Sequence, residues 1–115
     1  MKFKQYEIWL ADLNPRFGTE AGKTRPVLIV QSDILNKIHP SSIICPITPH
    51  IKKGVSILRV NLKKETSGLK KESAIMIDQV RAIDNKRLLK KIGELPSSLQ
   101  NKVVENLKII LDIER

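Results

Sequence analysis

The sequence predicts a mainly β fold with α additions: a small barrel-like antiparallel sheet with a C-terminal helix. Three observations carry that reading. Short apolar runs rich in β-branched residues recur along roughly the first eighty positions, punctuated by Pro- and Gly-containing turns. The apolar spacing becomes helical only in the final stretch. The length, 115 residues, suits one domain over 1–115 and leaves no room for a second.

Each element has its own signal. Glu7-Ile8-Trp9-Leu10-Ala11-Asp12-Leu13 partly alternates and is rich in strand formers, which predicts a strand over 6–13 that ends at Asn14-Pro15. Residues 14–24 contain Pro15, Gly18 and Gly22 without apolar periodicity and read as a long loop. Pro26-Val27-Leu28-Ile29-Val30 reads as a buried strand opened by a proline at its tolerated first position. Ser32 is placed to cap a helical turn over 33–37. Ile43-Ile44-Cys45-Pro46-Ile47-Thr48 is a strand whose internal proline predicts an edge or a bulge.

Alternation over 55–62 predicts a further strand, and 74–83 reads as one or two strands kinked near Asp78-Gln79. The tail has Leu99, Val103, Leu107, Ile110 and Leu111 at helical spacing. Ser97 with Gln100 forms a capping-box pattern behind Pro96.

Charge narrows the partner. The chain has 21 Lys and Arg against 12 Asp and Glu, net +9, on an apolar content of 41%. A folded basic domain points to a polyanion, most simply a nucleic acid. The excess is concentrated in residues 49–71, where Lys52, Lys53, Arg59, Lys63, Lys64, Lys70 and Lys71 face only Glu65. Such a run is either a solvated loop or a surface that tracks phosphates. All four aromatics, Phe3, Tyr6, Trp9 and Phe17, precede it, so no aromatic platform for stacked bases is interleaved with the lysines.

Other classes fall away. The single Cys45 excludes an intrachain disulfide framework and fits a reducing compartment. No apolar stretch approaches a membrane span of about 20 residues, and Glu7 interrupts any signal-like core. The expected location is the cytoplasm, with no membrane partner. P-loop, dinucleotide-binding and HExxH signatures are missing. His39 and His50 sit beside prolines with no recognisable metal-ligand spacing, so neither a metal nor a cofactor is expected.

What stands out is Gly18-Thr19-Glu20-Ala21-Gly22-Lys23-Thr24-Arg25-Pro26-Val27, a glycine-containing loop that delivers an arginine to the mouth of a buried strand. A planar guanidinium there is suited to hold a phosphate, or to pin the loop by pairing with Glu20 or Asp33.

That segment resembles the MazF/PemK family of toxin endoribonucleases from type II toxin–antitoxin modules. The resemblance runs from Ile8-Trp9, Asp12-Leu13 and Pro15 through the loop to Gln31-x-Asp33 and Asn36-Lys37. It continues through Ile47-Thr48 and Asp78-Gln79-Val80-Arg81-x-Ile83-Asp84 to Arg87-Leu88 and Ile92-Gly93, nearly the whole chain. Where the family has Gly-Asp before the first strand, this chain has Tyr6-Glu7.

The resemblance implies an SH3-like barrel of the MazF/CcdB type, assembled as a homodimer. It implies metal-independent, sequence-specific cleavage of single-stranded RNA, usually mRNA, to 2′,3′-cyclic phosphate and 5′-hydroxyl ends, and inhibition by an acidic antitoxin. By position, Arg25 and Thr48 match the catalytic pair, and Glu20 matches the acidic residue of the loop beside them. Ser32 and Gln79 fall where the family lines its substrate groove. Gly18, Thr19, His50, Lys52 and Lys53 complete the residues expected to touch substrate. The competing expectations are a gyrase poison built on the same barrel and a non-catalytic nucleic-acid-binding domain.

Overall fold

Strand formers and turn residues in the first half build three antiparallel neighbours in chain order. The computed structural model describes residues 2–51, 58–65 and 67–113. Strand β1 (Glu7–Asp12) pairs with β2 (Thr24–Ile29), which pairs with β3 (Ser41–Thr48). Between β2 and β3 lies the short helix α1 (Asp33–Asn36), capped as expected by Ser32, whose hydroxyl oxygen accepts from the Ile34 amide at 3.2 Å.

Strand β2 starts at Thr24, so Pro26 is its third residue and not its first. The ladder to β3 begins only at Val27, so Pro26 flanks that side beyond its end.

Pro46 does not mark an edge. Strand β3 lies inside the sheet, with β2 on one side and two successive partners on the other. Ser41–Ile44 pair with β6 (Arg81–Asp84), and Ile47 and Thr48 pair with β5 (Ser73–Met76). Pro46 falls in the gap where one ladder ends and the next begins, a position that asks for no amide on that flank. Because β3 is interior, it gives no support to dimerisation through a free edge there.

Strand β4 (Arg59–Leu62) pairs with β5 and realises the described part of the run predicted over 55–62; residues 55–57 lie outside the described residues. The kink near Asp78-Gln79 is a 3₁₀ turn (Ile77–Gln79) between β5 and β6. A second 3₁₀ turn (Asn85–Arg87) leads into β7 (Leu88–Glu94), which pairs with β1. No periodicity in the sequence marks that strand. Exposed Lys90 and Lys91 interrupt its apolar residues, and the ladder to β1 shifts register twice.

Both faces of β1–β3 are covered, which is why Val27-Leu28-Ile29 is apolar without alternation. Trp9, Ala11, Val27, Ile29 and Ile44 join Phe3, Ile83 and Leu88 on one side. Ile8, Leu28, Cys45 and Ile47 face the other side, where Val60, Leu62 and Ile75 meet Val103. Val103 belongs to helix α2 (Ser97–Leu111), whose Leu99, Leu107 and Ile110 pack on the same cluster.

Leu111, by contrast, is 54% exposed and lies off the buried stripe. The capping box does not form either: Pro96 occupies the cap, Ser97 is already helical, and no side chain caps the helix.

Candidate functional site

The loop between β1 and β2 is tied down along its length. Its neck is closed by Leu13 N donating to Lys23 O at 2.9 Å and Lys23 N donating to Asn14 Oδ1 at 2.9 Å. Arg87 Nη1 reaches across to the Asp12 carbonyl at 2.9 Å and to the Asn14 carbonyl. In the middle, Gln79 accepts from Ala21 N at 3.3 Å and donates to Thr19 O at 3.1 Å. Gly18 turns the chain with φ +54°, a left-handed value that favours glycine.

Arg25 leaves this loop at the start of β2. Its Nε donates to the Gly22 carbonyl at 2.8 Å, which sets the plane of the guanidinium. Burial and then the charge of Arg16 draw its pKa below the ordinary arginine value. Among the described residues it has no ion pair, so the alternative of pinning by Glu20 or Asp33 is not realised. Asp33 is taken up instead by Gln5 N at 2.7 Å and Asn36 Nδ2 at 3.0 Å.

Thr48 ends β3 and is only 4% exposed. The β2–β3 register pairs Val27 with Pro46; carried on by two residues, it sets Arg25 opposite Thr48 on the same face. Thr48 Oγ1 accepts from His50 N at 3.2 Å. With its oxygen engaged, the hydroxyl keeps its proton for an outside acceptor. A guanidinium and a hydroxyl on neighbouring strands are two donors of the kind that hold a phosphate.

The other expected site residues are dispersed around this pair. Gly18, Thr19 and Glu20 form the exposed tip of the loop, and Glu20 N donates to Phe17 O at 3.0 Å. His50 lies two residues past Thr48, and its carbonyl accepts from Arg59 Nη1 at 3.4 Å. Gln79 touches the loop through both ends of its amide. Ser32 lies beyond the far end of β2 from Arg25, its oxygen engaged at the helix cap. Lys52 and Lys53 lie outside the described residues.

Lys70 and Lys71 flank a cavity of about 390 Å³ whose wall includes Pro26, Ile47, Leu69 and Ile92 but neither Arg25 nor Thr48. Arg16, which no motif marks, carries a charge that reaches Arg25. A second arginine in a loop without periodicity has no sequence signal of its own. Among the described residues no three His, Cys, Asp or Glu side chains cluster to hold a metal ion.

Comparisons with known proteins bear on the family and the fold. The family model described as PemK-like, MazF-like toxin of type II toxin-antitoxin system matches residues 4–111. The chain is 38% identical over 111 residues to Endoribonuclease EndoA of Bacillus subtilis (strain 168), covering 96% of each protein. Its fold matches that of Mycobacterium tuberculosis toxin MazF-mt6 with a TM-score of 0.80 at 24% identity, over 95% of this chain and 99% of that one. It matches MazF from Deinococcus radiodurans with a TM-score of 0.85 at 22% identity, over 98% and 99%.

Proposed function

The chain belongs to the PemK-like, MazF-like family of type II toxin–antitoxin toxins, and we propose that Arg25 and Thr48 are its catalytic pair. Its activity is that of a toxin endoribonuclease. What supports the residue assignment is the β2–β3 register, which, continued two residues past the Val27–Pro46 pair, brings Arg25 level with Thr48.

The RNA itself supplies the nucleophile, and no metal takes part. The 2′-oxygen bonds to the adjacent phosphorus while the bond from phosphorus to the 5′-oxygen breaks. The products are a 2′,3′-cyclic phosphate and a 5′-hydroxyl. Arg25 holds the phosphate and stabilises the charge added in the pentacoordinate transition state. Thr48 Oγ1 donates a hydrogen bond to a non-bridging oxygen and keeps its proton.

The 2′-hydroxyl proton must be taken up and the departing 5′-oxygen must receive one. Glu20 and His50 are the carboxylate and imidazole on the segments that carry the pair. Arg25 takes no part in proton transfer, because a guanidinium is a poor base even when its pKa is drawn down.

As one domain in a homodimer, the toxin acts in the cytoplasm on single-stranded RNA, mainly mRNA, at a short preferred sequence. An acidic antitoxin segment covers the same basic surface and blocks RNA. Among the described residues no helix is long and apolar enough to cross a membrane.

The test is cleavage of a long single-stranded RNA by the purified chain in EDTA. A few discrete cuts with cyclic-phosphate ends are expected, abolished by a 2′-deoxy substitution at the cut site. RNA of varied sequence left intact would sink the reading, as would cleavage only on added metal. Sequencing the 5′ ends of the products identifies the preferred site.

A further inference from the structure

Resting on that endoribonuclease reading, a second arginine joins the site from the loop. Arg16 folds back on its own segment, with Nε donating to the Gly18 carbonyl at 3.1 Å. Its stem lies against Gly22: a methyl group built on that glycine would meet Arg16 Cβ at 2.6 Å and Cγ at 3.2 Å. The carbonyl of the same glycine accepts from Arg25 Nε. Gly22 therefore seats both arginines, one against its α-carbon and the other on its oxygen.

Each arginine has committed one nitrogen to the loop. Neither guanidinium makes another hydrogen bond or ion pair with a described residue, so the terminal amino groups of both are available. Their mutual repulsion is felt at Arg25, where Arg16 adds to the effect of burial. Two like charges held together with no ion pair to a described carboxylate suit a phosphate, whose negative charge relieves their repulsion.

We infer that Arg16 is a second catalytic guanidinium, which shares the scissile phosphate with Arg25. The charge arithmetic supports this role. A phosphodiester carries one negative charge, and Arg25 suffices to match it. Attack by the 2′-oxygen, once its proton has gone to the base, forms a pentacoordinate phosphorane with two. The second guanidinium matches charge that exists only in the transition state, so its contribution falls on rate more than on binding. The requirement for glycine at position 22 follows, because any side chain there would push Arg16 off its seat.

Single-turnover cleavage at saturating enzyme tests this, with affinity measured on a strand carrying 2′-deoxy at the cut site. Arg16→Ala should lower the maximal rate by about 10²-fold, in the range of a lost transition-state donor, while affinity changes far less. Arg16→Lys should recover part of the rate. Gly22→Ala should slow cleavage comparably and add little when combined with Arg16→Gly, which removes the Cβ that the new methyl would meet. An unchanged maximal rate with weakened affinity would place Arg16 on a neighbouring phosphate and overturn the inference. So would full additivity of the two substitutions. An inactive Arg25→Ala beside a fully active Arg16→Ala removes Arg16 alone and leaves the proposed function standing. An inert wild-type chain removes both.

Discussion

Arg25 Nε donates to the Gly22 carbonyl at 2.8 Å, so the guanidinium is aimed by the loop that precedes it. Aim of this kind is what separates a placed donor from a mobile charge, because no reorganisation is left for the reaction to carry out. The same bond ties the chemistry to the loop's integrity.

Arg25→Lys keeps the charge but loses the planar fork and the Nε anchor. Cleavage should fall by roughly 10²–10³-fold, and the melting temperature should stay close to that of wild type. Thr48→Val preserves shape and removes the hydroxyl donor; a loss of about 10²-fold is expected. Single-turnover assays beside thermal melts decide the matter. Near-full activity in either variant would remove that residue from the catalytic pair.

Gln79 acts on the site through the loop. Its side chain bonds the amide of Ala21 and the carbonyl of Thr19, residues 58 and 60 positions away. Gln79→Ala should raise hydrogen exchange at the Ala21 amide and cost stability by about 1 kcal/mol. Cleavage should slow because the glycine that seats Arg25 adjoins Ala21. Unchanged protection at Ala21 would show that the tether does not hold the loop.

Glu7 contributes to the acid sensitivity of the fold. Burial on its own would raise its pKa, but bonds from Trp9 Nε1 (2.9 Å), Lys4 N (2.9 Å) and Lys91 Nζ (3.1 Å) outweigh burial and lower it. A depressed carboxylate adds stability that is present above its ordinary value of 4.5 and lost as pH falls through the folded value beneath it. Glu7→Gln should melt lower at neutral pH and show a shallower decline below that value. Parallel melting curves against pH for the two proteins would contradict this.

Gly93 lies where two backbones touch. A methyl group there would meet Ser67 O at 2.0 Å, and one on Gly68 would meet Ile92 O at 1.8 Å. Backbone cannot yield as a side-chain tip can, so Gly93→Ala should destabilise by at least the 1–3 kcal/mol or so of an overpacked core. That corresponds to a melting point lower by roughly 4 °C or more per kcal/mol. A melt within about a degree of wild type would mean that the turn at Ser67-Gly68 separates freely from β7.

Local order was legible wherever one segment carries its own signal. The alternation around Trp9, the cap at Ser32, the kink at Asp78-Gln79 and the stripe from Leu99 to Ile110 each record which neighbour along the chain faces the core. The loop with Arg25 and the strand with Thr48 were legible too, through motifs in an ordered series. Strand β7 was hidden because Lys90 and Lys91 break its apolar pattern, and because pairing with β1 across an irregular register is what makes it a strand.

By itself, the sequence determined a basic, mainly β domain with a helix at its end, its family likeness and the two residues proposed for catalysis. Only the tertiary structure decided that Pro46 lies inside the sheet, that Glu7 clamps Trp9 and Lys91, and that Arg16 shares Gly22 with Arg25. The physical reason is the same in each case. Periodicity reports burial by face, whereas these facts depend on which strands and loops meet, and meeting is set by register and close packing across the chain.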